Sequence, residues 1–151
     1  MRYFIGNWKM FGVPKSINIL NKITSFHSKD KNRNKYRVII TPPYTLIESY
    51  AKYFKNKKIS IGSQNCYQKD QFSSNTAAVS PYMLRSVGAQ YTLVGHSDNR
   101  GEGDTDLMLK DKVKFATILG TFQSTLVNFK YLTRDWKKNT QEERLLGVSL
   151  T

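Results

Sequence analysis

The amino-acid sequence predicts an α/β fold carried by a parallel sheet of about five strand–helix units. Three observations point there. Short apolar runs alternate with segments whose apolar residues recur at helical spacing, prolines and glycines fall at the joints, and two of the apolar runs end on polar residues suited to chemistry.

The first run, "YFIGN", reads as a short buried strand over residues 3–7. After Pro14, the apolar residues Ile17, Leu20, Ile23 and Phe26, with Ile19 alongside, mark one face of a helix. "YRVIITPP" gives a strand over 36–41, stopped by Pro42 and Pro43, which cannot continue a central ladder. Residues 44–54 form a second helix and 59–65 a third strand, followed by a polar loop to about Thr76. A short helix over 80–88 has Pro81 in its first turn and Gly88 at its end, the expected asymmetry. "QYTLVGH" makes a fourth strand over 90–96, residues 104–120 a fourth helix, and "STLVNF", 124–129, a weaker fifth strand. Strands alternating with helices imply right-handed parallel crossovers, and no linker divides the chain, so residues 1–151 read as a single domain.

Composition narrows the class. Hydrophobic residues at 39% and aromatics at 13% fit a globular chain with a real core and not a disordered one. One cysteine, Cys66, allows neither an internal disulfide nor a cysteine-cluster zinc site, and suits a reducing compartment. "GNWK" interrupts the N-terminal apolar run, so no signal peptide is expected, and no run approaches the roughly 20 apolar residues of a membrane span. A soluble cytoplasmic protein is the resulting expectation. The net charge of +13 permits an acidic partner. Its lysines, however, sit in separate clusters such as "HSKDKNRNK", "KNKK" and "KDKVK", and no nucleic-acid module pattern accompanies them, so nucleic acid is not the expected partner.

The polar strand ends carry the chemistry. Asn7 and Lys9 follow the first strand, and His96 follows Leu93 and Val94 of the fourth. In a parallel sheet these ends face one crevice, where an amide, an ammonium and an imidazole can hold and polarise an anionic substrate. His27, on or just past a helix, reads instead as a satisfied structural residue. Cys66, in "QNCY", reads as a packing residue. Asp104 and Asp106 read as capping and dipole partners of the helix that follows, not as metal ligands.

The segments "FIGNWKM", "TPP", "GSQNCY", "VSPYMLRSVGAQYTLVGHS" and "DTD", in this order, resemble the triosephosphate isomerase family over essentially the whole chain, fading after Gly120; "KKNTQEERLLGVSL" still resembles that family's fifth helix. The resemblance implies a partial TIM (βα)8 barrel and an isomerase that interconverts dihydroxyacetone phosphate and glyceraldehyde 3-phosphate without a cofactor or metal. It also implies a cytoplasmic homodimer of glycolysis and gluconeogenesis. Carried over, Asn7 and Lys9 match the substrate-binding pair, Lys9 also supplying electrostatic stabilisation. His96 matches the catalytic electrophile, and Thr76 a subunit-contact residue. The family is itself the known case of a neutral catalytic imidazole whose pKa a helix N-terminus lowers, and "SDNR" after His96 is the expected start of such a helix.

Departures from the family shape the expectation of activity. A full barrel takes about 250 residues, so this sequence, with 151, lacks the family's glutamate base, its lid and its phosphate loops, and is expected to be inactive alone. "GHSERR" reads "GHSDNR", with Asp98 for a glutamate and Asn99 for an arginine. The contact loop reads "SSNTAAVS", with Ala77 and Ala78 where the family has glycine and glutamate, implying a weakened dimer contact. "VNFKY" replaces the fifth-strand "CIGET". Two alternatives stand beside the isomerase: a non-catalytic half-barrel that covers its open edge by self-association, and a basic binding protein for an acidic partner.

Overall fold

The computed structural model describes residues 2–118 and 148–149. Among these residues there are five strands, β1 (Arg2–Asn7), β2 (Tyr36–Thr41), β3 (Ile59–Ser63), β4 (Tyr91–Thr92) and β5 (Val148–Ser149). The helices are α1 (Ile17–Lys29), α2 (Ile47–Phe54), α3 (Pro81–Ser86), α4 (Ser97–Gly101) and α5 (Asp106–Ile118), with single 3₁₀ turns at Pro14–Ser16 and Tyr44–Leu46. Every strand pair is parallel, in the order β4-β3-β2-β1-β5.

Strands β1 to β4 lie side by side in chain order without the reversal of a doubly wound sheet, the arrangement of a barrel wall. The wall curls. With neighbouring strands about 4.8 Å apart, a flat sheet would hold β1 and β4 well separated, yet the rings of Tyr3 and Tyr91 meet edge to face at 6.5 Å between centroids. The core lies between strands and helices. Ile40, Ile59 and Ile61 of the sheet pack with Leu20 of α1, with Leu46, and with Ile47, Tyr50 and Phe54 of α2. Burying each such side chain is worth about 1.5–3 kcal/mol.

The apolar stripe foreseen for α1 is only partly packed. Leu20 is buried and Ile17 and Ile23 are partly so, but Phe26 is 73% exposed and Ile19 is also exposed. Steps of three residues slip back about 60° each on a helix of 3.6 residues per turn, so a strict three-residue repeat walks Phe26 to the opposite side from Ile17. The same geometry brings His27 between Leu20 and Ile23, where it is buried.

Strand β4 is shorter than the expected 90–96: its ladder with β3 ends at the Ser63–Thr92 pair, past which the Leu93 N–H still donates to the Ser63 carbonyl at 2.9 Å. The fifth strand expected over 124–129 lies outside the described residues. The fifth strand that is described, Val148–Ser149, replaces the tail of the expected helix over 137–150 and pairs with Gly6 and Asn7 on the free edge of β1. Strand preference is decided by such tertiary pairing.

Candidate functional site

The carboxyl ends of the strands form one polar floor. Asn7 ends β1 opposite Thr41 of β2, and Ser63 of β3 lies opposite Thr92 of β4. All four are buried, with the Ser63 hydroxyl donating to Thr92 Oγ1 at 2.8 Å. Gln64 Nε2 donates to the carbonyls of Lys9 (2.7 Å) and Thr41 (2.9 Å), tying the ends of β1, β2 and β3 together.

Lys9 sits on this floor in a left-handed backbone conformation, φ 51°. Such strain in a non-glycine residue persists only where its surroundings hold it. Here Asn7 Oδ1 accepts the Lys9 backbone N–H at 3.0 Å and Gln64 holds the Lys9 carbonyl. The Lys9 ammonium then stands 3.5 Å from Asp98 Oδ2.

His96 reaches the same point from β4. Gly95 makes the turn at φ 76°, and a Cβ there would press on Leu109. The helix expected at "SDNR" is α4, with His96 as its N-cap. His96 Nδ1 accepts the backbone N–H of Asp98 at 3.1 Å and lies 3.5 Å from the same Asp98 Oδ2 that faces Lys9. With Nδ1 placed to accept that amide N–H, Nε2 is the ring nitrogen left to meet a ligand. Two residues 87 positions apart thereby converge on one carboxylate oxygen.

Thr76 lies apart from this group, exposed on the turn it forms with Ala77, after β3. Cys66 is buried in the core, and burial pushes its thiol up to about 11, which suits packing and not nucleophilic attack. The capping role foreseen for the two aspartates needs correction, while Asp106 does stand in the first turn of α5, where a dipole partner belongs. The helix cap is the Thr105 hydroxyl, which accepts Met108 N–H at 3.3 Å. Asp106 opens α5 and binds Arg100 at 2.8 Å. Asp104 instead takes both oxygens to the buried Lys112 ammonium, at 2.7 and 2.6 Å, and Asn65 completes the ammonium's shell at 3.0 Å. His27 also departs from expectation: its ring packs edge-on to Tyr36, but its buried Nε2 has no hydrogen-bond partner.

Sequence reasoning missed the roles of Asp98 and Gln64. Gln64 follows a strand end, as Asn7 and His96 do at their ends, and the same rule would have found it. Among the described residues no three acidic, histidine or cysteine side chains are grouped to hold a metal ion, and no helix is long and apolar enough to cross a membrane.

Comparison with known proteins bears on the family and the fold. The family model for triosephosphate isomerase matches residues 2–123. The curated triosephosphate isomerase of Afipia carboxidovorans is 34% identical over 131 residues, covering 86% of this chain and 51% of the relative. That of Wolbachia pipientis wMel is 33% identical over 110 residues, covering 72% and 43%. The crystal structure of triosephosphate isomerase from Bartonella henselae superposes with a TM-score of 0.69 at 29% identity, covering 76% of this chain and 46% of that one. The chain thus spans about half the length of the curated relatives it matches. With the family model covering well over half of it, the chain belongs to the triosephosphate isomerase family.

Proposed function

We propose that Asn7, Lys9 and His96 bind and polarise a phosphorylated triose, as the first part of a site that interconverts dihydroxyacetone phosphate and glyceraldehyde 3-phosphate. The observation that carries this reading is the meeting of the Lys9 ammonium and the His96 ring on one Asp98 oxygen, at the carboxyl end of the parallel sheet. Moving a proton between adjacent carbons passes through an enediolate, in which negative charge grows on the substrate oxygens. Donors fixed in advance where that charge grows lower the barrier. His96 Nε2–H serves the carbonyl oxygen, Lys9 supplies positive charge, and Asn7 holds the strained Lys9 backbone in place.

This reading assigns no general base to residues 1–151. A base is worth about 10²- to 10⁴-fold in rate, so the chain alone turns over no more than a trace of substrate. Its setting is the cytoplasm, in glycolysis and gluconeogenesis, and it self-associates through the loop around Thr76. Membership of the family and the exposure of that loop support both statements.

Titrating the 151-residue chain with dihydroxyacetone phosphate tests the reading. Charge-assisted hydrogen bonds are worth about 1.5–3 kcal/mol, so Lys9→Met and His96→Gln should each weaken binding about tenfold or more, with thermal unfolding little changed. Binding that neither variant affects, or turnover that survives both, would reject it.

A further inference from the structure

At the opposite end of the sheet, where the chain enters β2 and β3, a cavity of about 710 Å³ opens between the loop after α1, the end of α2 and the loop that follows it. Six cationic side chains line it: Arg33, Arg37, Lys52, Lys55, Lys57 and Lys58. Among the described residues that line it, Glu48 is the one carboxylate, and it is already engaged by Lys52 at 2.6 Å.

The recorded partners of three other cations carry no charge. Lys58 Nζ donates to Asn34 Oδ1 at 3.0 Å, Arg33 donates to the Ser28 carbonyl, and Lys57 Nζ lies 3.4 Å above the Tyr53 ring. Neutral partners fix the positions of these cations without cancelling their charge. Burial is the main cause that holds the His27 imidazole below its ordinary pKa; Asp30 pulls it up, and Lys58 and Arg33, each to a lesser degree, push it down. His27 also lines this cavity, is 97% removed from solvent by its 3% exposure, and has its Nε2 unpartnered. A buried polar atom left so costs about 1–3 kcal/mol, and such an atom in a native fold calls for an explanation.

We propose that this cavity is a binding site for a small organic polyphosphate, distinct from the site at the carboxyl end of the sheet. The volume falls within the roughly 300–1,000 Å³ of small-molecule pockets. The guanidinium fork is the side-chain shape that matches phosphate, and Arg33 and Arg37 both line the cavity, with Lys55, Lys57 and Lys58 adding charge to the same lining. Phe54 and Ile61 give the cavity an apolar floor for the organic part. Cations spread around a concavity suit several phosphates on one compact molecule, whereas a polymer backbone follows an extended basic stripe.

Calorimetric titration of the full chain with inorganic tripolyphosphate at low salt tests the proposal. The expected result is one site per chain, weakened at least tenfold by Arg33→Glu and by Lys58→Glu, both exposed positions. Lys110→Glu, the same charge change at an exposed position on α5, should alter it less than twofold. Circular dichroism melts confirm that each variant is folded, and the two cavity variants act independently. Equal weakening by Lys110→Glu would show attraction to net charge alone and overturn the proposal. Binding of a single-stranded RNA that tightens with its length and resists competition by tripolyphosphate would overturn it in favour of nucleic acid.

Discussion

Lys112 carries its charge almost out of water, with 4% of its side chain exposed, facing Asp104 at 10%. Removing one partner of a buried ion pair strands the other, at a cost of about 3–5 kcal/mol. Lys112→Met should therefore lower unfolding stability in urea by that amount, and adding Asp104→Asn should recover part of it. A loss under about 1 kcal/mol would mean the pair is solvated in solution. This pair also shows where single-residue reading stops. Asn7, Lys9 and His96 were legible because each directly follows an apolar run, and strand ends are where parallel sheets place ligands. Asp104 looked like a cap because only the position of Thr105, one residue later, decides which side chain meets the helix N-terminus. Asp98 and Lys9 are far apart in the chain, and no local pattern announces their contact.

Elements were read well where their own pattern sets them. The strand over Tyr36–Thr41 appears with its foreseen limits, stopped by two prolines, and Ser80 caps α3 by accepting Met83 N–H at 3.3 Å. Elements whose limits depend on a neighbour were read less well. Strand β4 ends where its ladder with β3 ends, and β5 exists by pairing with β1. The turn at Ala77 belongs to this scale. Its φ of 63° lies in the left-handed region, which costs a Cβ-bearing residue about 1–2 kcal/mol. Glycine relieves that but gains about 0.5–1 kcal/mol of freedom when unfolded. Ala77→Gly should thus stabilise the chain by a net ~0.5 kcal/mol, seen as a small rise in melting temperature. A fall would mean that the turn relaxes out of this conformation in solution.

Over the whole molecule, the two ends of the sheet gather two different groups of side chains. Strands β1 and β4 bring Lys9 and His96 to the carboxyl end, where a single Asp98 oxygen faces both. At the other end Arg33, Arg37 and four lysines, from β2, α2 and the adjoining loops, gather around one cavity, which gives part of the +13 charge a location. Scattered clusters in the sequence, such as "HSKDKNRNK" and "KNKK", become neighbours only when α1, β2, α2 and β3 are packed, so this patch was not legible beforehand. The most direct test of the triose site is a nitrogen-15 NMR titration of the chain with dihydroxyacetone phosphate, following backbone amides and the His96 ring. The expected result is that the largest shifts fall at Lys9, Gln64 and His96, the His96 ring nitrogens included. Shifts confined to the Arg33–Lys58 end, or none at Lys9 and His96, would contradict the assignment of the triose site to Asn7, Lys9 and His96.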